Sequence, residues 1–222
     1  MKTERTDVFL SDIPRKIKSL VFLTGFMILL LEESLNAQVN SAQIVGFNFS
    51  TIEMKVNKES IETKGATGIH FGLLLPVTIV DHLSVNPGVM FSSKGASYAI
   101  DSVDIFISPI YLEIPVSLAL NIGTDAFGIT LIAGTYFSCG VGGNKIESHG
   151  AARDILYGSS ESKDLRALDL GLNFGTGVAI KGFLISARYG LGLTNIYPVE
   201  SADIEMKNRL LEISLTSSFS GR

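Results

Sequence analysis

The chain has 222 residues, of which 46% are hydrophobic and only 18% are charged, and its formal net charge is -4. Soluble domains carry about 25% charged residues, so this chain is poor in charge, and its acidic balance argues against nucleic acid as a partner. The single cysteine, Cys139, excludes an internal disulfide framework and a cysteine-based zinc site.

The first 37 residues have the features of a secretory signal peptide. Arg15, Lys16 and Lys18 precede an apolar run at 20–31. That run is too short for a transmembrane helix, which needs about 20 residues, but a basic stretch before a short apolar core is typical of a signal peptide. Cleavage after Ala37 would leave a mature domain of residues 38–222. The alternatives are an uncleaved anchor or a soluble amphipathic helix.

Beyond Gln38 the hydrophobic pattern has a period of two, which predicts β-strands. In the clearest stretch, residues 110–120, Ile and Leu alternate with small or polar side chains. Several such segments have 13 or more residues, whereas a typical soluble strand has about 5–6 and a membrane-spanning strand about 9–11. The eight predicted strands lie at about 43–51, 67–79, 82–94, 105–121, 126–141, 167–180, 183–195 and 208–219.

The connections between these segments alternate in length, as in outer-membrane barrels, which have short periplasmic turns and longer outer loops. The apolar faces would meet lipid, and the faces rich in glycine and polar residues would fill the lumen. Because an open sheet edge in lipid leaves backbone groups unpaired, the sheet must close. We therefore predict an all-β fold: an eight-stranded antiparallel up-and-down transmembrane β-barrel in the outer membrane of a Gram-negative bacterium. The alternative is a soluble lipocalin-like barrel or β-sandwich. The predicted long connections are 52–66, 95–104, 142–166 and 196–207.

Four charged residues fall on the predicted lumen face. Lys94 and Glu113 lie at similar depth on neighbouring strands, and so do Arg188 and Glu212. A charge in a narrow lumen needs a partner or water. We predict two structural pairs, Lys94 with Glu113 and Arg188 with Glu212; the alternative is a role in selectivity or gating.

The sequence shows no pattern typical of a catalytic, cofactor or metal site. His70, His82 and His149 lack the spacing of metal ligands and have no supporting cysteine. The glycine-rich stretch at 140–144 lacks the lysine and the following helix of a phosphate loop. We therefore expect no enzyme activity, no cofactor and no metal, and we expect Cys139 to face lipid.

Six stretches of the chain match the sequence pattern of a known family: Gly68-Ile-His-Phe-Gly72, Leu83-Ser-Val-Asn-Pro87, Phe91-Ser-Ser-Lys-Gly95, Tyr111-Leu-Glu-Ile-Pro115, Gly182-Phe-Leu-Ile-Ser-Ala-Arg-Tyr-Gly-Leu-Gly-Leu-Thr-Asn-Ile196 and Lys207-Asn-Arg-Leu-Leu-Glu-Ile-Ser-Leu215. In these stretches the chain resembles the PorT-like outer-membrane beta-barrel family of Gram-negative bacteria, and the resemblance covers most of residues 43–219. It departs from the common pattern at Gly88, where similar proteins often carry an acid, and at Phe219, which is followed by Ser-Gly-Arg instead of ending the chain.

An eight-stranded barrel has an interior just wide enough for side chains, so a general porin is not expected. We expect a structural or interaction protein that works through its extracellular loops, for example in an envelope or secretion machine; the alternative is a small transporter or channel of the porin type. The expected partners are outer-membrane lipid, the barrel-assembly machinery and envelope proteins that contact the 142–166 loop. That loop is the longest connection, and loops of its length are usually functional or disordered.

Overall fold

The computed structural model describes residues 41–100, 103–124, 126–148, 150–199 and 203–219. The predicted signal peptide at 1–37 lies outside the described residues, and so does His149. Within the described part of the chain, no helix is long and apolar enough to cross a membrane.

The described residues form one antiparallel sheet of twelve strands. The strands are β1 (Ser41–Val56), β2 (Glu59–Ile61), β3 (Thr63–Leu74), β4 (Val77–Val80), β5 (Leu83–Ser93), β6 (Ala96–Ile100), β7 (Val103–Gly123), β8 (Phe127–Glu147), β9 (Arg153–Asp154), β10 (Leu168–Ile180), β11 (Phe183–Gly192) and β12 (Ile204–Phe219).

The sheet closes on itself. β1 pairs with β3 on one side and with β12 on the other, and the ring continues through β5, β7, β8, β10 and β11. The other four strands, β2, β4, β6 and β9, have two to five residues each and lie beside the ring. The prediction of an all-β antiparallel barrel is confirmed, with twelve strands in the sheet where the sequence predicted eight segments.

The additional strands come from predicted loops and from one predicted strand that is divided. The predicted loop 52–66 is a hairpin: β1 continues to Val56, and a tight turn at Asn57 and Lys58 (φ 52° and 68°) returns the chain into β2. Two successive positive φ values fit the type I′ turn that suits the twist of a hairpin. The predicted strand 67–79 is interrupted at Pro76, which has no amide to donate to a ladder.

At membrane level the barrel has an apolar exterior and a polar interior. On β1, Phe47 is 63% exposed whereas its neighbour Asn48 is fully buried. The same alternation follows the other long strands: Leu118 is 49% exposed beside the buried Ser117, and Leu172 is 40% exposed beside the buried Asn173. This inverted pattern is the one predicted from the sequence.

Beyond the last lipid-facing pair of β1 and β12, the polarity of the two faces reverses. On β1 the outward positions become Glu53 and Lys55, and the inward positions become Ile52 and Met54, both buried. This is the pattern of a water-exposed barrel, so the strands continue beyond the lipid at the end that carries the long connections. That end is the outer one in barrels of this type.

Two apolar clusters occupy the interior at different heights. We call the larger one the outer cap core; it contains Ile52, Met54, Ala96, Ile107, Ile155, Leu165, Ile196 and Met206. The smaller cluster is formed by Ala42, Ile44, Leu74 and Met90. Between these two apolar clusters, the interior of the barrel contains buried polar residues. These polar residues form the candidate site.

We predict that Leu118→Arg destabilises the barrel by about 2–4 kcal/mol, because an arginine near the bilayer midplane must enter hydrocarbon. Leu156→Arg is the matched control, since Leu156 is 47% exposed but lies in the outer connection. Urea unfolding in lipid vesicles, followed by the gel mobility of folded and unfolded chain, measures the difference. Equal effects of the two substitutions would contradict the assignment of the lipid-facing surface.

Candidate functional site

Lys94, whose side chain is 1% exposed, lies at the centre of a group of buried polar residues inside the barrel. We call this group, Lys94 with Tyr111, Glu113, Tyr136, Ser138, Asp169 and Asn208, the lumen cluster. Lys94 Nζ lies 3.1 Å from Glu113 Oε2, as the predicted pair requires, and 3.5 Å from Asp169 Oδ2. Ser138 Oγ donates a hydrogen bond of 3.0 Å to the same Glu113 oxygen. One buried cation therefore contacts two buried carboxylates.

Two tyrosine rings enclose the lysine ammonium. Lys94 Nζ lies 4.9 Å from the ring centre of Tyr111 and 4.4 Å from that of Tyr136, which is cation–π range. Tyr136 and Asn208 also donate hydrogen bonds to Asp169 Oδ2, at 3.3 and 2.9 Å. Burying a charge away from water costs free energy unless the charge is paired and hydrogen-bonded. The hydrogen bonds and cation–π contacts of this group offset that cost.

Asp169 is the member of this cluster that the sequence prediction missed. It lies on β10, whereas Lys94 follows β5 and Glu113 lies on β7. Since β8 separates β7 from β10 in the ring, no register between neighbouring strands indicates the contact. The only signal in the sequence is an acid on the lumen face of a predicted strand.

The second predicted pair lies on β11 and β12. Arg188 and Glu212 are directly opposite in the register, with 2.9 Å between Arg188 Nη2 and Glu212 Oε2, and both side chains are about 95% buried. Gly175 is opposite Arg188 on β10, and a Cβ there would lie 2.7 Å from Arg188 Cα. The glycine therefore leaves room for the arginine side chain.

His70 is a buried polar residue of the lumen with partners on both sides of its ring. Nδ1 lies 2.6 Å from Asn48 Oδ1, and Nε2 lies 2.9 Å from Ser214 Oγ. A Cβ at Gly46 would lie 2.6 Å from His70 Cε1, so this glycine makes space for the imidazole. The ring links β1, β3 and β12 and has no free nitrogen for a ligand.

The remaining candidates from the sequence lie apart from the lumen cluster. His82 is exposed in the turn between β4 and β5 with φ 70°. Cys139 is half-buried, and its cross-strand partners, Leu112 and Leu168, lie on the outward rows. Within the described residues, no three His, Cys, Asp or Glu side chains are grouped as metal ligands.

The described residues of the 142–166 connection, which the sequence predicted as the longest loop, are folded and not disordered. β8 continues to Glu147, and β9 returns along it. Ile155 and Leu165 are 6% and 1% exposed and belong to the outer cap core. Periodicity could not indicate this, because the two residues are ten positions apart and reach the core from an irregular segment.

Tyr157 anchors this connection to the barrel. Its ring packs against Gly140, where a Cβ would lie 2.2 Å from the ring, and meets the Tyr111 ring edge-on at 6.4 Å. Its hydroxyl donates a hydrogen bond of 2.8 Å to the Gly142 carbonyl. The connection is therefore joined through Tyr111 to the cluster around Lys94.

Asp164 joins the end of the 142–166 connection to its beginning and middle, at Lys145, Arg153 and Leu156. Its carboxylate accepts two hydrogen bonds of 2.6 Å from Arg153 and one of 2.9 Å from the Leu156 amide, and it lies 3.3 Å from Lys145 Nζ. Burial opposes ionisation, but these hydrogen bonds and the nearby cations outweigh burial and lower the pKa of Asp164 to about 2.

We predict that removing one member of the Arg188–Glu212 pair destabilises the barrel, because the remaining charge is buried without a partner. Such losses reach about 3–5 kcal/mol. The double change Arg188→Ala with Glu212→Ala should therefore cost less than the sum of the single changes. Unfolding in urea and lipid vesicles measures all three variants, and strict additivity would contradict the pairing.

We also predict an acid-sensitive outer connection. Because the pKa of folded Asp164 lies below its unfolded value of about 3.9, its contribution to stability is complete above about pH 4 and is lost as the pH falls towards 2. The NMR shift of the Leu156 amide reports the change. Asp164→Asn should abolish this transition, whereas Asp154→Asn, at an exposed aspartate of the same connection, should preserve it.

The comparisons with known proteins identify the family but no specific activity. A family model described as "Outer membrane protein beta-barrel domain" matches residues 37–197. No curated protein matches the chain. The matching family model describes the outer membrane beta-barrel domain in general. The narrower resemblance to the PorT-like family stays a prediction.

Several solved structures share distant similarity with the chain. Ail of Yersinia pestis, in complex with the heparin analogue sucrose octasulfate, is 12% identical at TM-score 0.40, and the match covers 81% of this chain and 99% of Ail. OprG of Pseudomonas aeruginosa is 11% identical at TM-score 0.42, and the match covers 83% of this chain and 99% of OprG. Neisserial surface protein A is 13% identical at TM-score 0.42, and the match covers 80% of this chain and 99% of that protein. These values are too low to support an argument about function.

The family match spans well over half of the 222 residues, and the closed sheet has the apolar exterior that a lipid environment requires. The chain therefore belongs to the outer membrane protein beta-barrel domain family and is a protein of the Gram-negative outer membrane.

Proposed function

We propose that this protein is a closed barrel whose folded outer end contacts other components of the cell envelope, and that it is not an enzyme. The observation that carries the proposal is the outer cap core, in which Ile155 and Leu165 of the 142–166 connection pack against strand residues across the outer end. We further propose that residues 1–37 are the export signal and that 38–222 form the mature domain.

The interior of the barrel supports this choice over transport. Lys94, Tyr111 and Arg188 are 1%, 0% and 4% exposed, so large side chains fill the lumen at mid-height. A solute path would require these side chains and the Tyr157 anchor to move together. We therefore propose that the two ion pairs, Lys94 with Glu113 and Arg188 with Glu212, serve the stability of the barrel and not selectivity or gating.

The connection has a buried side and an exposed side. Ile155 and Leu165 are fixed in the cap core, whereas Leu156 is 47% exposed and Ser159, Ser160, Glu161 and Ser162 are all exposed. A surface that is held in place from below loses little conformational freedom on binding. We propose that this exposed side receives the partner, for example a subunit of an envelope or secretion machine, after the barrel-assembly machinery has inserted the chain.

We predict that Leu156→Asp with Glu161→Lys abolishes co-purification of a specific envelope partner from detergent-solubilised outer membrane, while the barrel remains folded. Point changes are preferable to a deletion, because a deletion would remove Ile155 from the cap core. Glu59→Lys, at an exposed residue of β2, is the control at another site of the outer end.

Planar-bilayer recording tests the competing function. If the lumen is closed, as we propose, the intact protein should show no steady conductance. A large steady conductance, or partners that remain bound to the Leu156 and Glu161 variant, would replace the interaction role with that of a small transporter or channel.

A further inference from the structure

A ladder of charged side chains continues the lipid-facing rows of β1 and β12 on the outside of the barrel. Phe49 and Leu211 are the last apolar outward pair, 49% and 43% exposed. The next three outward pairs are Thr51 with Arg209, Glu53 with Lys207 and Lys55 with Glu205. Two residues rise by about 7 Å along a strand, and by less along the membrane normal because the strands are tilted. The ladder therefore begins at the level of the lipid headgroups.

Cations predominate on this ladder. Its three cations, Lys55, Lys207 and Arg209, face two carboxylates, Glu53 and Glu205, although the whole chain has a net charge of -4. Residues diagonal to one another on a sheet face are about 7–8 Å apart, and residues two apart along a strand are similarly close. The three cations therefore lie in one row on the outer face of the two strands.

The arginine of this row is held in place by the barrel itself. Arg209 Nη1 donates hydrogen bonds of 2.8 and 3.0 Å to the carbonyls of Gly192 and Asn208, and Nη2 binds Glu53. Its side chain remains 18% exposed. The guanidinium is therefore a fixed positive charge at the edge of the lipid-facing surface.

The two lysines keep donors for another anion. Lys55 Nζ lies 2.9 Å from Glu53, and Lys207 Nζ lies 2.5 Å from Glu205, with side-chain exposures of 38% and 26%. An ammonium has three N–H donors, and each lysine has one carboxylate contact among the described residues. The remaining donors are available to an oxygen-rich anion above the apolar band.

We propose that Lys55, Lys207 and Arg209 form a binding surface for the phosphate group of a lipid in the outer leaflet. The adjacent Phe49 and Leu211 would contact the acyl chains of the same lipid. The position directly above the apolar band favours a lipid over a free anion, since the acyl chains supply a second contact. The inference is independent of the proposed partner of the 142–166 connection.

Native mass spectrometry of the refolded barrel in detergent tests the proposal, with phosphatidylglycerol as the anionic probe and phosphatidylcholine as the zwitterionic one. The wild-type barrel should retain phosphatidylglycerol more strongly, and added salt should weaken this preference. Lys55→Gln with Lys207→Gln should weaken phosphatidylglycerol binding on the order of fivefold for each lysine removed. Glu205→Gln should strengthen it, because Lys207 loses its competing carboxylate.

The control variant removes the same charge elsewhere at the outer end. Lys58→Gln with Lys64→Gln changes two exposed lysines of the β1–β2–β3 region that lie off the ladder, and it should leave both lipids bound as in the wild type. The heat-dependent gel shift verifies that each variant is folded. Equal retention of the two lipids, equal losses in the two double variants, or no loss in the ladder variant would overturn the proposal.

Discussion

The structure depends on one constraint: inside hydrocarbon every backbone N–H and C=O must find a partner within the protein. The pairing of β12 with β1 along the full length of both strands, from Ser41 with Phe219 to Val56 with Ile204, meets that constraint by joining the two ends of the described sheet. Proline is tolerated where the ladder is already broken. The β5–β7 pairing omits Gly88 and Val89 beside Pro115, and a bulge at Ile110 and Tyr111 follows Pro109.

Because the sheet is closed, each strand has one face outside and one inside the barrel. The medium around the barrel therefore decides whether the inward side chains are polar or apolar. At membrane level the exterior must be apolar, so the polar side chains are inside and contact one another, as Lys94 does with Glu113 and Asp169. Above the membrane the exterior meets water, and the same strands bury Ile52 and Met54 instead. A single β1 strand thus changes the polarity of both faces along its length.

The two interior regions are joined through aromatic residues, and this bears on function. Tyr111 contacts Lys94 below and Tyr157 above, so the outer connection is packed against the buried charge cluster. A connection anchored in this way presents a fixed exposed side around Leu156. Tyr157 and the outer cap core therefore fix the inner side of the connection and leave the side around Leu156 exposed.

The sequence by itself determined the period-two segments, the inverted exterior and the neighbouring-strand pairs Lys94–Glu113 and Arg188–Glu212, because alternation and depth on adjacent strands are local properties of the chain. Contacts across the ring, such as Lys94 with Asp169, depend on barrel closure and lumen width, which no local pattern encodes. The same limit applies to Ile155 and Leu165, which lie in the predicted 142–166 loop but are buried in the outer cap core. Only the tertiary structure decided their place, because their apolar surface is buried by strands that are distant in the sequence.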